Sequence, residues 1–262
     1  MHVLGISFLA LYLAHLVTDF VLQSNRMVIG KRRGSGLAYL EHGAIHFFAG
    51  LLFLGLGVPG LWRNAWFYGV VAGLTLVHLG IDWSKVGLVR FGKVRDGAGL
   101  FFADQGAHLA TVSLAAWLVA RPSAANLMAR IRWFQSDTEK PLLLLVVYVG
   151  VIFGGGYVVR FLTKPLLKSD VEVIGESTTQ LENAGLYIGW LERFVVLTSL
   201  VLQSPATVGL ILTAKSIARY PELKSVRFAE YFLIGTLLSV SIGILGGLVL
   251  LKAFYGTVTL GK

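Results

Sequence analysis

A chain of 262 residues that is 55% hydrophobic and only 14% charged, with a mean hydropathy of +0.72, is too apolar to be a water-soluble domain. The absence of cysteine excludes disulfides and thiolate metal sites. The net charge of +9 is carried by short basic stretches between apolar runs, so it reads as membrane topology and lipid contact, with no nucleic-acid partner expected.

Several apolar runs reach the ~20 residues that cross about 30 Å of hydrocarbon. The ~10-residue alternation of an outer-membrane barrel is not seen. The predicted fold is all-α, a polytopic transmembrane helical bundle of roughly seven or eight membrane helices. Spans are predicted at residues 3–24, 37–58, 65–87, 99–120, 141–164, 184–203, 205–220 and 228–254. The first run has no basic leader and no A-x-A-like site before residue 25, so it is expected to be a retained helix. The segments at 184–203 and 205–220 meet at Ser204-Pro205 and either span or form a hairpin that dips into the membrane. Polar stretches at 123–139 and 168–182 read as surface loops. They set a four-helix front unit, 1–122, apart from a C-terminal helical unit, 140–262.

Basic residues orient the spans. Arg26, Lys31, Arg32 and Arg33 follow the first, Lys85, Arg90, Lys93 and Arg95 follow the third, and Lys215, Arg219, Lys224 and Arg227 precede the last. Only Arg63 lies between the second and third. The positive-inside rule puts the rich loops in the cytoplasm and the N-terminus outside. The 121–140 connection, with Arg121, Arg130, Arg132 and Lys140, fits this less well, although it also carries Asp137 and Glu139.

The first four spans each hold two ligand-type residues four apart: His15 and Asp19, His42 and His46, His78 and Asp82, Asp104 and His108. That spacing puts both side chains of a pair on one helix face, and four such faces can converge on the axis of a bundle. The pairs lie in the second halves of spans 1 and 3 and the first halves of spans 2 and 4, hence at one depth, the cytoplasmic half. An ionised Asp at mid-membrane costs roughly 2.5–3.5 kcal/mol and needs partners. A divalent cation supplies them, and imidazole and carboxylate ligands without sulfur suit Zn first, with Mn or Fe also fitting. One or two ions are expected. The competing reading is a buried His–Asp hydrogen-bond network that joins helices or relays protons.

Glu41 is a candidate general base for a metal-bound water, or an interfacial residue near a helix start. Lys85 is a candidate contact for an anionic substrate, or a snorkelling lysine. Gln23 and Gln105 are candidates to orient ligands. In the C-terminal unit, Glu192, Arg193, Lys215 and Arg219 are read either as structural ion pairs or as a substrate-binding recess for a phosphate or lipid head group. Gly154 to Gly156 are expected to allow close helix packing.

The motifs "HLVTDFVLQ", "EHGAIHF", "HLGIDWSK" and "DQGAHL" resemble a bacterial membrane family known as domain of unknown function 3307, over roughly residues 5–120. The segments "GWLERFVVL" and "TAKSIARY" are similar to the C-terminal extension of its longer members. By arrangement the front unit is similar to membrane-bound metal-dependent hydrolases with His/Asp motifs on early helices. The function expected is an intramembrane metal-dependent hydrolase cutting a phosphoester or acyl bond in an amphipathic anionic substrate. The alternatives are a metal-ion or proton transporter and a membrane di-iron oxygenase. The oligomeric state stays open.

Overall fold

A computed structural model describes residues 2–121, 138–167 and 184–256, and every regular element among them is helical. The fold is all-α, as the sequence requires. The polar loops expected at 123–139 and 168–182 fall outside the described residues, apart from Thr138 and Glu139.

The chain opens with α1, His2–Phe20. The predicted first span runs to residue 24, but the helix stops at Phe20, because Ser24 starts a separate helix. Its Oγ accepts from the Met27 amide at 3.3 Å and caps α2, Asn25–Arg32. Then follow α3, Gly36–Gly57, a short 3₁₀ turn at Pro59–Arg63, α4, Ala65–Arg90, and α5, Ala98–Ala120. Asn64 caps α4 by accepting from the Trp66 amide at 3.0 Å. Further on lie α6, Lys140–Val149, a π-helical turn at Gly150–Gly154, α7, Gly155–Thr163, α8, Ala184–Val201, α9, Ala206–Ala218, and α10, Val226–Tyr255. Each predicted span coincides with helix. Five stretches are long and apolar enough to cross a membrane: Val3–Phe20, Gly36–Gly57, Ala65–Arg90, Lys140–Leu166 and Val226–Tyr255. The 13-residue α9 is only about 20 Å long, short of the hydrocarbon thickness.

The chain divides into two compact units, Met1–Val146 and Val147–Lys262. In the first, α1 packs on α3 and α5, and α4 packs on the same two, closing a four-helix ring; α2 lies against α3 and α4. Apolar side chains such as Leu40, Phe48, Leu52, Leu56 and Leu76 face outward, exposed, as a bilayer environment requires. Inside the ring the two ends differ. One end is apolar: Ala10 and Leu11, Leu54, Phe67 to Leu74, and Val112 to Ala116 form a continuous core. The other end holds the imidazoles and carboxylates.

Lipid tails are as apolar as leucine, so burial alone does not drive these helices together; close approach and polar contacts do. Gly43 on α3 marks the approach to α4, since a Cβ there would stand 2.8 Å from Leu79 Cδ1. In the second unit α10 packs on α8 and α7. Its Gly246 and Gly247 admit Val151 and Leu200.

Candidate metal centre

The i, i+4 pairs do what their spacing predicts. His15, His42, His46, His78 and His108 are all fully buried, and Asp82 and Asp104 are buried beside them. The side chains meet across all four helices of the ring. His42 Nε2 lies 2.8 Å from His78 Nε2. Asp19 Oδ1 is 3.3 Å from the first of these nitrogens and 3.4 Å from the second. Asp82 Oδ2 completes a four-cornered set at 3.5 Å from His42 Nε2 and 3.9 Å from His78 Nε2.

These spacings can be compared with what a metal demands. A tetrahedral zinc ion with N/O ligands at about 2.0–2.1 Å holds them about 3.3 Å from one another. In the triangle Asp19–His42–His78 the two edges from Asp19, 3.3 and 3.4 Å, fit that figure, whereas the His42–His78 edge of 2.8 Å is a hydrogen-bond distance that would have to widen by about 0.5 Å around an ion; Asp82 stands over it at the loosest corner. Two histidines, one carboxylate and a further position is a ligand pattern of catalytic zinc and of non-haem iron.

His108 belongs to the same cluster: its Nδ1 lies 3.0 Å from His78 Nδ1, its Nε2 is 3.6 Å from Asp82 Oδ1 and 3.6 Å from Asp104 Oδ1, and ligand atoms of Asp19, His78, Asp82 and His108, or of His15, His78 and His108, lie within 4.8 Å of one another. Both His108 Nε2 and Asp104 Oδ1 are buried with no hydrogen-bond partner among the described residues, as are His15 Nδ1 and His42 Nδ1. Four such atoms in one cluster mark a missing partner, because each unsatisfied buried group costs about 1–3 kcal/mol. Asp82 therefore offers one oxygen to the triangle and the other to a second, smaller set.

The remaining histidines support. His46 Nδ1 stands 3.2 Å from Thr75 Oγ1, and its ring stacks on His78 with centroids 4.2 Å apart, which fixes the plane of that imidazole. His15 faces Gln105 Oε1 at 3.3 Å and Asp19 at 3.7 Å. Gln105 also donates to Asp104 Oδ2 at 3.2 Å, so it stands between His15 of α1 and Asp104 of α5.

Two lysines complete the electrostatics. Lys85 donates to Asp104 Oδ2 at 2.7 Å. Lys31, buried on α2, donates to Asp82 Oδ2. The sequence reading takes Lys31 only as a topology charge. The signal was there in Met27 and Lys31, four apart and both buried on one face of α2. Lys31 and Lys85 thus each place an ammonium group against one carboxylate of the cluster, Asp82 and Asp104 respectively.

Other candidates go elsewhere. Glu41 is half-buried and held by the exposed Arg26 guanidinium at 2.6 Å, which removes the support for a general-base role. The C-terminal residues do not gather into one recess. Glu192 pairs with Lys215 at 2.7 Å, and Arg219 pairs with Glu222 at 3.2 Å. Arg193 donates twice to the Ile152 carbonyl in the π turn, at 3.1 and 2.8 Å, and once to Ser239 Oγ at 3.1 Å. Gly155 and Gly156 make room for that guanidinium, since a Cβ on Gly156 would stand 2.9 Å from Arg193 Nη2.

An all-helical chain with apolar outward faces and a buried His/Asp centre is a membrane protein of the helical class. Residues 7–135 match the family described as protein of unknown function DUF3307, and the front part of the chain belongs to it. No curated protein and no solved structure matches the chain.

Proposed function

We propose that the front unit is an intramembrane metal-dependent hydrolase acting on an amphipathic anionic substrate, through a phosphoester or acyl bond, from the cytoplasmic side of a bacterial inner membrane. The protein is multi-pass with its N-terminus outside. The observation that carries this reading is the convergence of buried imidazoles and carboxylates from four helices, with Asp19, His78, Asp82 and His108 each bringing a ligand atom within 4.8 Å of the others and Asp19 3.3–3.4 Å from His42 and His78.

Zinc is the first choice of metal, with manganese and iron suited by the same ligands. A cation held there would polarise a coordinated water enough to deprotonate near neutral pH. Asp19, His42 and His78 would hold it, with His46 and Thr75 fixing the His78 ring. Asp82 faces the fourth position, its charge already shared with Lys31. Lys85, one turn along from Asp82, is placed to meet an anionic group of the substrate. The set around His108, Asp104 and the second oxygen of Asp82 would be the place for a second ion.

Transport is less well supported. The far half of the ring is closed by the apolar core around Leu54, Phe67, Val71 and Val112, which offers no ligands to a crossing ion. The di-iron reading lacks the E-x-x-H pairs of such bundles. Elemental analysis of the purified protein tests the proposal. We expect one zinc, manganese or iron per chain in the wild type and none in a His42→Ala/His46→Ala double variant. Wild-type protein without stoichiometric metal would refute it, and iron with a visible absorption band would move it to the oxygenase class.

A further inference from the structure

An open groove runs beside the buried cluster. A cavity of about 500 Å³ runs between α4 and α5, within the range of small-molecule sites. Its walls are Val77, Ile81 and Leu88 of α4 with Leu100, Ala103 and Ala107 of α5, and Gly80 leaves the wall open where a side chain would stand. Only Lys85, Asp104 and Ser84 bring polar groups to it. From Val77 to Leu88 it follows α4 for about 16 Å. Its floor is part of the centre, because Asp104 lines the cavity and also faces His108. The Asp104 Oδ1 atom there is buried and without a hydrogen-bond partner.

We propose that this groove holds one acyl chain of an anionic membrane lipid, which reaches the centre sideways from the bilayer with its head group at Lys85. The assignment rests on the reading of the cluster as the reacting centre. Three observations converge on it. The groove opens on the outer wall of the ring, where lipid is the neighbour. Its walls are mostly apolar, and a hydrocarbon chain lying along them would make the dispersion contacts that an empty groove forfeits. Its one cation, Lys85, stands beside the buried carboxylate at the groove floor, so an anionic head group would arrive at the centre as the chain seats. A water-soluble substrate would need none of the apolar wall.

Photolabelling of the full-length protein in phosphatidylcholine vesicles tests this. The probe is phosphatidic acid with a diazirine in its acyl chain; the reference probe is the same diazirine on phosphatidylcholine. Adducts located by mass spectrometry are expected at Ile81, Ala103 and Ala107 about tenfold above those at Leu52 and Leu56, which any surrounding lipid reaches. The phosphatidic acid preference should fall about tenfold in Lys85→Met, the loss of one hydrogen bond to a charged group. Gly80→Phe should bring groove labelling down to the background at Leu52. A Cβ at Gly80 meets nothing within 4 Å, and Ala103→Phe, at an exposed position, gives an independent block. Excess glycerol 3-phosphate should leave the labelling unchanged, which separates a lipid from a free phosphate. Equal labelling of groove and outer wall, indifference to both blocking variants, or displacement by glycerol 3-phosphate would overturn the proposal. Labelling needs no metal, so a metal-free protein that still labels the groove would refute the hydrolase reading and leave the lipid site standing.

Discussion

Asp82 carries more of the centre than any other side chain. It accepts from Lys31, faces His42 and His78 with one oxygen, and faces His108 with the other. Lys31 and a cation compete for the same negative charge. Lys31→Met should therefore destabilise the metal-free protein by about 3–5 kcal/mol, the cost of leaving a buried charge without its partner. It should destabilise the metal-loaded protein much less, so thermal unfolding with and without chelator should diverge in the variant. His46→Ala should behave unlike His78→Ala. The first removes a support and should weaken metal affinity about tenfold to a hundredfold while saturating metal still fills the site. The second removes a corner of the triangle and should abolish stoichiometric binding. A metal titration of each variant separates the two. These residues were legible in the sequence because helical periodicity turns a spacing of four into a shared face. What periodicity does not rank is which of eight ligand-type side chains touch a common point, since that depends on ring rotations. Hence His46 looks identical to His42 in the sequence and differs in the structure.

Among the helices, α2 was the least legible. Its eight residues, "NRMVIGKR", read as a basic loop, and its helix exists because Ser24 caps it and α3 and α4 shelter one face. The approach of α3 to α4 is equally specific. Gly43→Val would drive a branched side chain against Leu79 and should cost about 1–3 kcal/mol. It should also weaken metal binding, because it forces apart the helices that bring His42 and His78 to 2.8 Å. The π turn at Gly150–Gly154 could not be read from its glycines and apolar residues. It depends on Arg193, forty-one positions away from the carbonyl it serves. Arg193→Met should lower thermal stability by about 1–3 kcal/mol through the orphaned Ile152 carbonyl, and Lys should rescue poorly because it lacks the fork that donates from two nitrogens.

In the whole chain, hydropathy alone gives the all-α class, because a bilayer admits only helices or closed barrels. The polar stretches suggest units at 1–122 and 140–262, whereas the compact front unit of the structure runs to Val146. Leu142, on a helix that follows the first of those stretches, packs against the front unit's core, and no local signal announces a contact of that range. The four-helix ring carries its four His/Asp pairs at one end and an apolar core at the other. Such a vessel has a mouth but no drain. Whatever enters from one leaflet must leave into that same leaflet, so turnover would alter the two faces of a membrane unequally. In vesicles with randomly inserted protein, half of the molecules would therefore be blind to a substrate confined to the outer layer.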